Sequence, residues 1–371
     1  MRNFVLLTVI LLGFASLAVP ANAGWNVLNL SQPENSFACA KNINGNQVVG
    51  SVSIGNGWPG WTHASMWTQG STGWIDLNPS GSAYSVANGT DGQKQTGYAF
   101  IGDNMHAILW TGSSKNYVDL NPSGVLGSNA ESVYGNQQVG GAMYDTSWSG
   151  VSFASLWYGS AESWVNLTPK DSGDSRAYGT DGIHQVGYAT FSGSNHAGIW
   201  SGTAESWSDL NPISAISSRA YAVRGNQQVG YATTADYWRH ASLWNGTSDS
   251  WVDLNPAASV ESSALALSSG YQAGWFNTDG LERASIWAGS ADSMVDLHSL
   301  LASDTYCKSL ATGISIQGSD IFVSGYAYNS STNKEEAILW HYTSDVPEPS
   351  GILSLLFGLG GFGGMMLRRK D

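Results

Sequence analysis

The segment Ser218-Arg-Ala-Tyr-Ala-Val-Arg-Gly-Asn-Gln-Gln-Val-Gly-Tyr-Ala232 is the clearest copy of a unit that recurs along this 371-residue chain. The unit continues as His240-Ala-Ser-Leu-Trp244 and ends as Trp251-Val-Asp-Leu-Asn-Pro256. Its Leu/Ile/Met-Trp element returns at spacings of 43, 47, 43, 44, 43 and 53 residues, at Trp67, Trp110, Trp157, Trp200, Trp244, Trp287 and Trp340. A repeat of this length is typical of β-propeller blades and other stacked arrays.

Each unit divides into four short strands separated by turn residues. Strand one is of the Ser-x-Ala-Tyr-Ala type, strand two Gln-x-x-Gly-Tyr-Ala, strand three His-Ala-x-Leu-Trp and strand four Trp-x-Asp-Leu-Asn-Pro. Asp-Gly and Gly-Asn pairs between strands one and two accept the positive φ angles of tight hairpins. Proline ends strand four because it has no N–H to donate to a ladder. The pattern therefore predicts four-stranded antiparallel blades.

The last unit lacks its fourth strand. No Trp-x-Asp-Leu-Asn-Pro segment follows Trp340, whereas the chain carries a similar segment near its start, Trp25-Asn-Val-Leu-Asn-Leu-Ser-Gln-Pro33. We expect this early strand to complete the last blade and close a ring. The predicted fold is all-β, a seven-bladed β-propeller spanning residues 24–345. An open β-solenoid is the alternative.

Both ends of the chain read as targeting segments, each with a predicted helix. Residues 1–23 form a signal peptide, with Arg2, an apolar run and a small-residue cleavage site at Ala21-Asn-Ala23. Residues 346–371 contain a Val-Pro-Glu-Pro motif, an uncharged apolar run over 350–367 and a basic end. Eighteen apolar residues can just span a bilayer, with the basic end on the cytoplasmic side. The residues concerned are Val346, Pro347, Glu348, Pro349, Arg368, Arg369 and Lys370.

This C-terminal arrangement resembles the PEP-CTERM sorting signal of Gram-negative bacteria. The resemblance implies export across the inner membrane, transient anchoring by the tail, and removal of the tail by an exosortase-type protease. It further implies a final place at the cell surface or in the extracellular matrix, in a biofilm or exopolysaccharide layer. An uncleaved chain would stay anchored in the membrane.

The repeat itself resembles the bacterial extracellular repeats of the HAF family. Four units begin strand three with His-Ala, while the other three place Phe153, Arg283 or Glu336 before the alanine. The four histidines are His63, His106, His196 and His240. The family's Phe is absent throughout, and the resemblance implies an exported repeat protein without an assigned chemistry.

Charge and cysteine content limit the partners. Removing both ends takes away four basic and two acidic side chains and leaves 11 basic and 26 acidic ones, a net charge near −15. Such a surface repels nucleic acid, so no nucleic-acid partner is expected.

Cys39 and Cys307 lie in the first and last units, which become neighbours if the ring closes. They are candidates for a disulfide, with two buried thiols as the alternative.

The residues give little sign of catalysis. Equivalent histidines on different blades are too far apart to share a metal, so a structural hydrogen bond to a neighbouring blade is the preferred interpretation. The aspartates before Leu-Asn-Pro are expected to accept turn N–H groups. No sialidase box, nucleophile elbow, P-loop, His-Glu-x-x-His or EF-hand motif is present. We therefore predict no enzyme activity, catalytic residue, metal or cofactor.

Five of the 17 tryptophans lie outside the repeat positions, all between strands two and three. Variable aromatic loops on one face of a rigid scaffold are where binding sites commonly occur, and flat rings suit sugars. The alternative is that these rings cap blade edges. The candidate glycan platform is Trp58, Trp61, Trp148, Trp238 and Trp275. The hypothesis is a structural or polysaccharide-binding propeller, and the alternative is a polysaccharide-active hydrolase or lyase working at the central channel.

Overall fold

The protein is a seven-bladed β-propeller, as predicted. The computed structural model describes residues 24–32, 37–54, 61–71, 73–144 and 151–343. These residues form seven four-stranded antiparallel sheets. The predicted signal peptide and sorting tail lie outside the described residues. Within them, no helix has the length and apolar character needed to cross a membrane.

The blades follow one another along the chain. Blade 1 is β2 (Phe37–Asn44), β3 (Gln47–Ile54), β4 (Trp61–Thr68) and β5 (Trp74–Asp76). Blade 2 is β6 (Ser85–Thr90), β7 (Gln95–Ile101), β8 (Asn104–Ser113) and β9 (Asn116–Asp119). Blade 3 is β10 (Gly127–Tyr134), β11 (Gln137–Met143), β12 (Ser152–Trp157) and β13 (Val165–Asn166). Blade 4 is β14 (Ser175–Thr180), β15 (Gln185–Phe191), β16 (Ser194–Trp200) and β17 (Ser208–Asp209).

The remaining blades complete the ring. Blade 5 is β18 (Ser217–Arg224), β19 (Gln227–Thr233), β20 (Arg239–Trp244) and β21 (Val252–Asp253). Blade 6 is β22 (Glu261–Ser268), β23 (Tyr271–Thr278), β24 (Leu281–Trp287) and β25 (Val295–Asp296). Blade 7 is β26 (Tyr306–Gln317), β27 (Asp320–Asn329), β28 (Lys334–Tyr342) and β1 (Trp25–Asn29). Short 3-10 turns occur at Ala161–Ser163, Ala204–Ser206, Ser248–Ser250, Ala291–Ser293 and His298–Leu300.

Ring closure occurs as predicted, through the strand that precedes blade 1. β1 pairs antiparallel with β28, in a register from Trp25 opposite Tyr342 to Asn29 opposite Ile338. The first residue of β1 and the last residue of β28 therefore lie side by side. Both are on the face that carries the strand one to strand two turns, called here the turn face. The opposite face, with the connections between strands two and three, is called the loop face.

Tryptophans from strand three hold neighbouring blades together. Trp110 of blade 2, for example, is fully buried among Val49, Ala64 and Leu77 of blade 1. Equivalent rings are fully buried at Trp157, Trp200, Trp244, Trp287 and Trp340. Burial of so much apolar area between blades is the main stabilising contribution to such a ring.

A second inter-blade contact is a hydrogen bond from a strand-three alanine to a serine on strand one of the next blade. Ala64 N donates to Ser85 Oγ at 2.9 Å, and Ala241 N donates to Ser262 Oγ at 2.9 Å. The same bond joins Ala107 to Ser128, Ala154 to Ser175, Ala197 to Ser218 and Ala284 to Ser309. At the closing junction Ala337 N instead donates to Ser31 Oγ at 2.9 Å, just after β1. The closing segment thus supplies this contact itself.

Each blade also contains a β-bulge opposite the glycine of strand two. In blade 5 the register shifts between Ala220 and Ala222, so Tyr221 is the extra residue opposite Gly230. A Cβ on Gly230 would lie 1.9 Å from the Arg219 carbonyl oxygen. The same shift occurs opposite Gly50, Gly97, Gly140, Gly187, Gly274 and Gly325. Glycine is required here by this close approach of two backbones.

We predict that Gly230→Ala destabilises the protein by roughly 3 kcal/mol, because a methyl group cannot share this space with a backbone carbonyl. Gly73→Ala is the control, since a Cβ there has no neighbour within 4 Å. The free energy of unfolding would be measured in urea. Equal stability of the two variants would contradict the steric account of the bulge.

Ser262→Ala should cost about 1–3 kcal/mol, because it leaves the buried Ala241 N–H without an acceptor. Exposed Ser214→Ala should change the free energy of unfolding by less than about 0.5 kcal/mol. The same urea titration compares them. A Ser262→Ala variant as stable as Ser214→Ala would show that the inter-blade bond contributes nothing.

Candidate functional site

The bulges place one side chain per blade in the central channel. The seven extra residues all line it, one from each strand one: Lys41, Asn88, Glu131, Tyr178, Tyr221, Leu265 and Thr312. We call this set the bulge ring. Each member directly follows a fully buried alanine, such as Ala130 before Glu131. The surrounding positions are nearly constant between blades, whereas the bulge ring differs in charge and size at almost every blade.

The channel widens into a cavity of about 970 Å³ toward the turn face. Its two aspartates from the Gly-Thr-Asp-Gly turns are engaged by backbone. Asp181 Oδ1 accepts from Ile183 N and His184 N, and its Oδ2 accepts from Gly225 N of the next blade at 2.9 Å. Asp91 is held in the same way in blade 2 and reaches Gly135 N. These carboxylates therefore stabilise the turns and the contacts between blades.

A second cavity, of about 1050 Å³, opens toward the loop face and is called the loop-face cavity. It borders blades 7, 1, 2, 3 and 4. Five aromatic side chains line it, namely Phe37, Tyr84, Tyr98, Tyr326 and Tyr328. Polar and charged side chains share the wall: Lys41, Asn88, Asn129, Glu131, Arg176 and Glu335. Aromatic faces beside convergent polar groups are the usual composition of a ligand site.

Two of the aromatic rings form a stack at the blade 2 wall. The ring centroids of Tyr84 and Tyr98 are 6.0 Å apart and nearly parallel. Burial raises the pKa of the Tyr98 phenol above its ordinary value, with smaller upward contributions from Tyr84 and Glu131. The phenol therefore stays neutral and keeps its O–H donor at any physiological pH.

Blade 3 departs from the repeat at this cavity. The residue after the strand-two glycine is aromatic in five blades, but in blade 3 it is Gly141 and in blade 1 Ser51. The Arg176 guanidinium of blade 4 occupies the freed space, since a Cβ on Gly141 would lie 3.0 Å from Arg176 Nε. Where the ring is present, the equivalent arginine of the next blade lies on it. Arg219 of blade 5 lies 4.3 Å over the Tyr188 ring of blade 4.

Arg176 is held by two side chains of blade 3. Its Nη2 donates to Asn129 Oδ1 at 2.9 Å, and its Nη1 lies 3.5 Å from Glu131 Oε1. Asn129 Nδ2 in turn donates to Glu131 Oε1 at 2.6 Å. Burial alone would lower the pKa of Arg176, but Glu131 and nearby phenols outweigh it, so its pKa is raised. We call these three residues the blade 3–4 triad.

Across the cavity, Glu335 is the second carboxylate. Burial raises its pKa above the ordinary value, opposed by the positive charges of Lys308 and Lys41. Glu131 and Glu335 thus face one cavity in different environments, one in an ion pair with arginine and the other partly desolvated. Two carboxyl groups that line one cavity, one ion-paired and the other partly buried, are the usual candidates for general acid–base chemistry.

The fold brings three arginines to the loop-face side of blades 4 and 5. Arg176 and Arg219 occupy the same repeat position on strand one, while Arg239 begins strand three of blade 5. Arg239 lies 5.6 Å over the Tyr231 ring and 5.4 Å over the Trp275 ring. It also forms an ion pair with Glu261. Only the Ser-Arg-Ala-Tyr repetition in blades 4 and 5 signals this arrangement in the sequence.

The five predicted platform tryptophans are not equivalent. Trp61 and Trp238 are exposed on the loop face, at 63% and 46%, and Trp61 adjoins the cavity residue Thr62. Trp275 is only 6% exposed because it lies within β23, at the repeat position that holds tyrosine in other blades. Its inclusion in an exposed platform was therefore wrong. Trp58 and Trp148 lie outside the described residues.

The repeated histidines do pair structurally, but not with a neighbouring blade as predicted. Each bonds the aspartate on strand four of its own blade, as in His63 Nδ1 to Asp76 Oδ2 at 2.8 Å. The same pair joins His106 to Asp119, His196 to Asp209 and His240 to Asp253. The other aspartate oxygen accepts a turn N–H as expected, for example Asn78 N to Asp76 Oδ1 at 2.7 Å. Strands three and four are adjacent, which explains the partner.

Cys39 and Cys307 are free thiols, so the disulfide considered from the sequence is not formed. Cys39 is buried in β2 and borders the loop-face cavity. Cys307 is the extra residue of a second bulge in β26 and lies beside the Tyr328 carbonyl. Burial raises the pKa of the Cys39 thiol to about 12. In the described part of the chain, no group of three or more metal-ligating side chains converges.

No known protein family matches this chain, and no curated protein is similar to it. Solved structures are similar in fold only. A puromycin hydrolase matches with a TM-score of 0.56 at 10% identity, covering 83% of this chain and 53% of that one. A puromycin-hydrolyzing peptidase of Mycobacterium tuberculosis matches at 0.53 and 13% identity, with 83% and 54% covered. This chain therefore spans about half the length of those enzymes.

The β-propeller domain of the Trilobed protease from Pyrococcus furiosus matches over nearly its whole length. The TM-score is 0.53 at 10% identity, covering 83% of this chain and 93% of that domain. That domain is described as having an open velcro topology, whereas β1 closes the ring here. Identities this low show a shared propeller fold and nothing about activity.

We predict that the native chain, purified without reductant, contains two titratable thiols in denaturant and exposes mainly Cys307 when folded. Cys39 should react slowly at pH 8 because it is buried and its thiol titrates near 12. Ellman's reagent measures both rates, and Cys39→Ser and Cys307→Ser assign them. Fewer than two thiols in denaturant would show that a disulfide forms.

Proposed function

We propose that the protein is a non-enzymatic, exported saccharide-binding propeller whose ligand occupies the loop-face cavity. The observation that supports this is the lining of the cavity, in which five aromatic rings stand beside amide, carboxylate and guanidinium groups. Sugars combine apolar faces with hydroxyl groups and need both kinds of partner. Trp61, exposed on the same face of the propeller, is a further aromatic surface that a longer chain could contact.

The proposed location is the surface of a Gram-negative cell or its extracellular matrix, reached through exosortase-type processing of Val346-Pro-Glu-Pro349. The positions of the two chain ends at ring closure would determine how the loop-face cavity is oriented relative to the membrane. The chain enters β1 at Gly24 and leaves β28 at Thr343, both on the turn face, where Thr343 N donates to Gly24 O. A tail still held in the membrane would then leave the loop-face cavity opening away from it.

A polysaccharide hydrolase or lyase is the second candidate. Glu131 and Glu335 both face the cavity, and burial raises the pKa of Glu335, as suits a proton donor. The two proposals differ in outcome. A binder returns its saccharide intact, whereas an enzyme releases new reducing ends or unsaturated sugars, and Glu335→Gln would stop that release without abolishing binding.

Tyr84→Ala combined with Tyr328→Ala should weaken saccharide binding at least tenfold, because each change removes an aromatic face from the cavity wall. Tyr117→Ala combined with Tyr158→Ala is the control, since it also removes two tyrosine rings, both exposed and neither in the lining of the loop-face cavity. A glycan array and exopolysaccharide pull-down with the full-length chain would identify the ligand, and calorimetry would give Kd.

Two results would count against the proposal. One is equal loss of binding in the cavity and control variants, which would place the ligand elsewhere. The other is the absence of any saccharide binding by the unchanged, folded protein. Samples from the same experiment, assayed for reducing ends, decide between the binder and the enzyme.

A further inference from the structure

The blade 3–4 triad has open hydrogen-bonding capacity that faces the loop-face cavity. Glu131 uses Oε1 for both Asn129 and Arg176, and within the described residues its Oε2 accepts no hydrogen bond. Arg176 Nη1 lies 3.5 Å from Glu131 Oε1 and donates no hydrogen bond to the described residues, among which the buried Arg176 Nε also has no partner. A carboxylate acceptor and a guanidinium donor therefore stand side by side with free positions.

The side chains of the triad are held in place by one another, which favours binding of a ligand. Asn129 is almost fully buried, and it links the other two members by bonds of 2.6 and 2.9 Å. Glu131 is the bulge residue of its blade, so the bulge aims its carboxylate at the channel. Side chains fixed in this way lose little entropy when a ligand binds.

The charges within the triad are paired, whereas the opposite wall of the loop-face cavity carries more lysines than carboxylates. Arg176 neutralises Glu131, and Lys41 and Lys308 stand near enough to Glu335 to oppose the effect of its burial. Lys334 adds a further cation at the β27–β28 hairpin. Among the described wall residues, both carboxylates have a positive neighbour, and the arginine of the triad already has its counter-charge. At the triad itself, a guanidinium that already has its counter-charge, beside a carboxylate that repels anions, suits the hydroxyl groups of a neutral sugar better than a second carboxylate.

From this geometry we infer that the blade 3–4 triad binds two neighbouring hydroxyl groups of a neutral saccharide, one donating to Glu131 Oε2 and the other accepting from Arg176 Nη1. The inference rests on the proposed function and names its ligand class and specificity residues. The Tyr84–Tyr98 stack stands on the adjacent blade and offers the apolar face for the same sugar ring.

The repeat itself supplies the test variant. Gly141→Tyr gives blade 3 the residue that blades 2, 4 and 5 carry at this position, so it conforms to the fold. The atoms that its Cβ would meet first are side-chain atoms, Ser152 Oγ at 2.6 Å and Arg176 Nε at 3.0 Å. The new ring would displace the Arg176 guanidinium from the triad, as Tyr188 holds Arg219 above its ring.

The experiment uses the full-length chain and defined probes: cellohexaose, laminarihexaose and mannohexaose as neutral sugars, and an alginate hexamer as the uronate. Gly141→Tyr, Glu131→Gln and Arg176→Gln should each raise Kd at least tenfold for the neutral probe that binds best. Trp275→Tyr, at the same repeat position in blade 6, should leave Kd unchanged. Circular dichroism and the urea midpoint check folding of each variant.

The outcomes separate the inference from the function it rests on. If the unchanged protein binds none of the probes or array glycans, the proposed function fails. If it binds a neutral probe but the three triad variants bind equally well, the inference is overturned and the function stands. Tighter binding of the alginate hexamer would also overturn it. Should Gly141→Tyr misfold, the two polar variants decide, because neither adds volume.

Discussion

The β-bulge opposite the strand-two glycine is the constraint on which the rest of this molecule depends. The glycine lets the Arg219 carbonyl, and its equivalents in other blades, approach the neighbouring strand to a distance that no Cβ permits. One residue of strand one is then left unpaired and turned toward the axis. Since the flanking alanines remain buried between blades, the blade keeps its packing whatever the bulge residue is. The buried alanines and the glycine therefore determine the blade structure, whereas the bulge residue determines the chemistry of the channel.

The sequence predicted the architecture well for a physical reason. The period and the strand order follow from the repeated sequence pattern. The displaced closing strand follows from the missing fourth strand after Trp340. The bulge ring was missed because a pattern of alternating faces gives no sign of one extra residue. A signal was present nonetheless. The position after Ala130, Ala177 and their equivalents varies from lysine to leucine inside an otherwise constant strand.

Errors in the predicted site arose where a position had to be assigned to a strand or to a loop. Trp275 was grouped with loop residues, but β23 extends to Thr278 and places its ring in the tyrosine position. The histidines were assigned a partner in the next blade, although strand four of the same blade is closer. The two positions also change together. In blade 3 the histidine position holds Phe153 and the aspartate position holds Asn166, and in blade 7 Glu336 accepts a hydrogen bond from Asn29. A carboxylate therefore never faces a carboxylate at this place.

Departures from the repeat are informative because the repeat sets what each position needs for folding. Arg219 satisfies the fold by lying on Tyr188, whose phenol donates to Asp174, and it needs no ion pair of the kind that holds Arg176. Blade 3 has no aromatic ring at Gly141, and the Arg176 guanidinium is instead bound by Glu131 and Asn129. A partly buried ion pair of this kind adds little stability over an aromatic contact, since desolvation offsets much of the attraction. Packing alone does not account for the exchange of a ring for a triad at the wall of the loop-face cavity, and this exchange is the structural basis of the proposed recognition of a polar ligand.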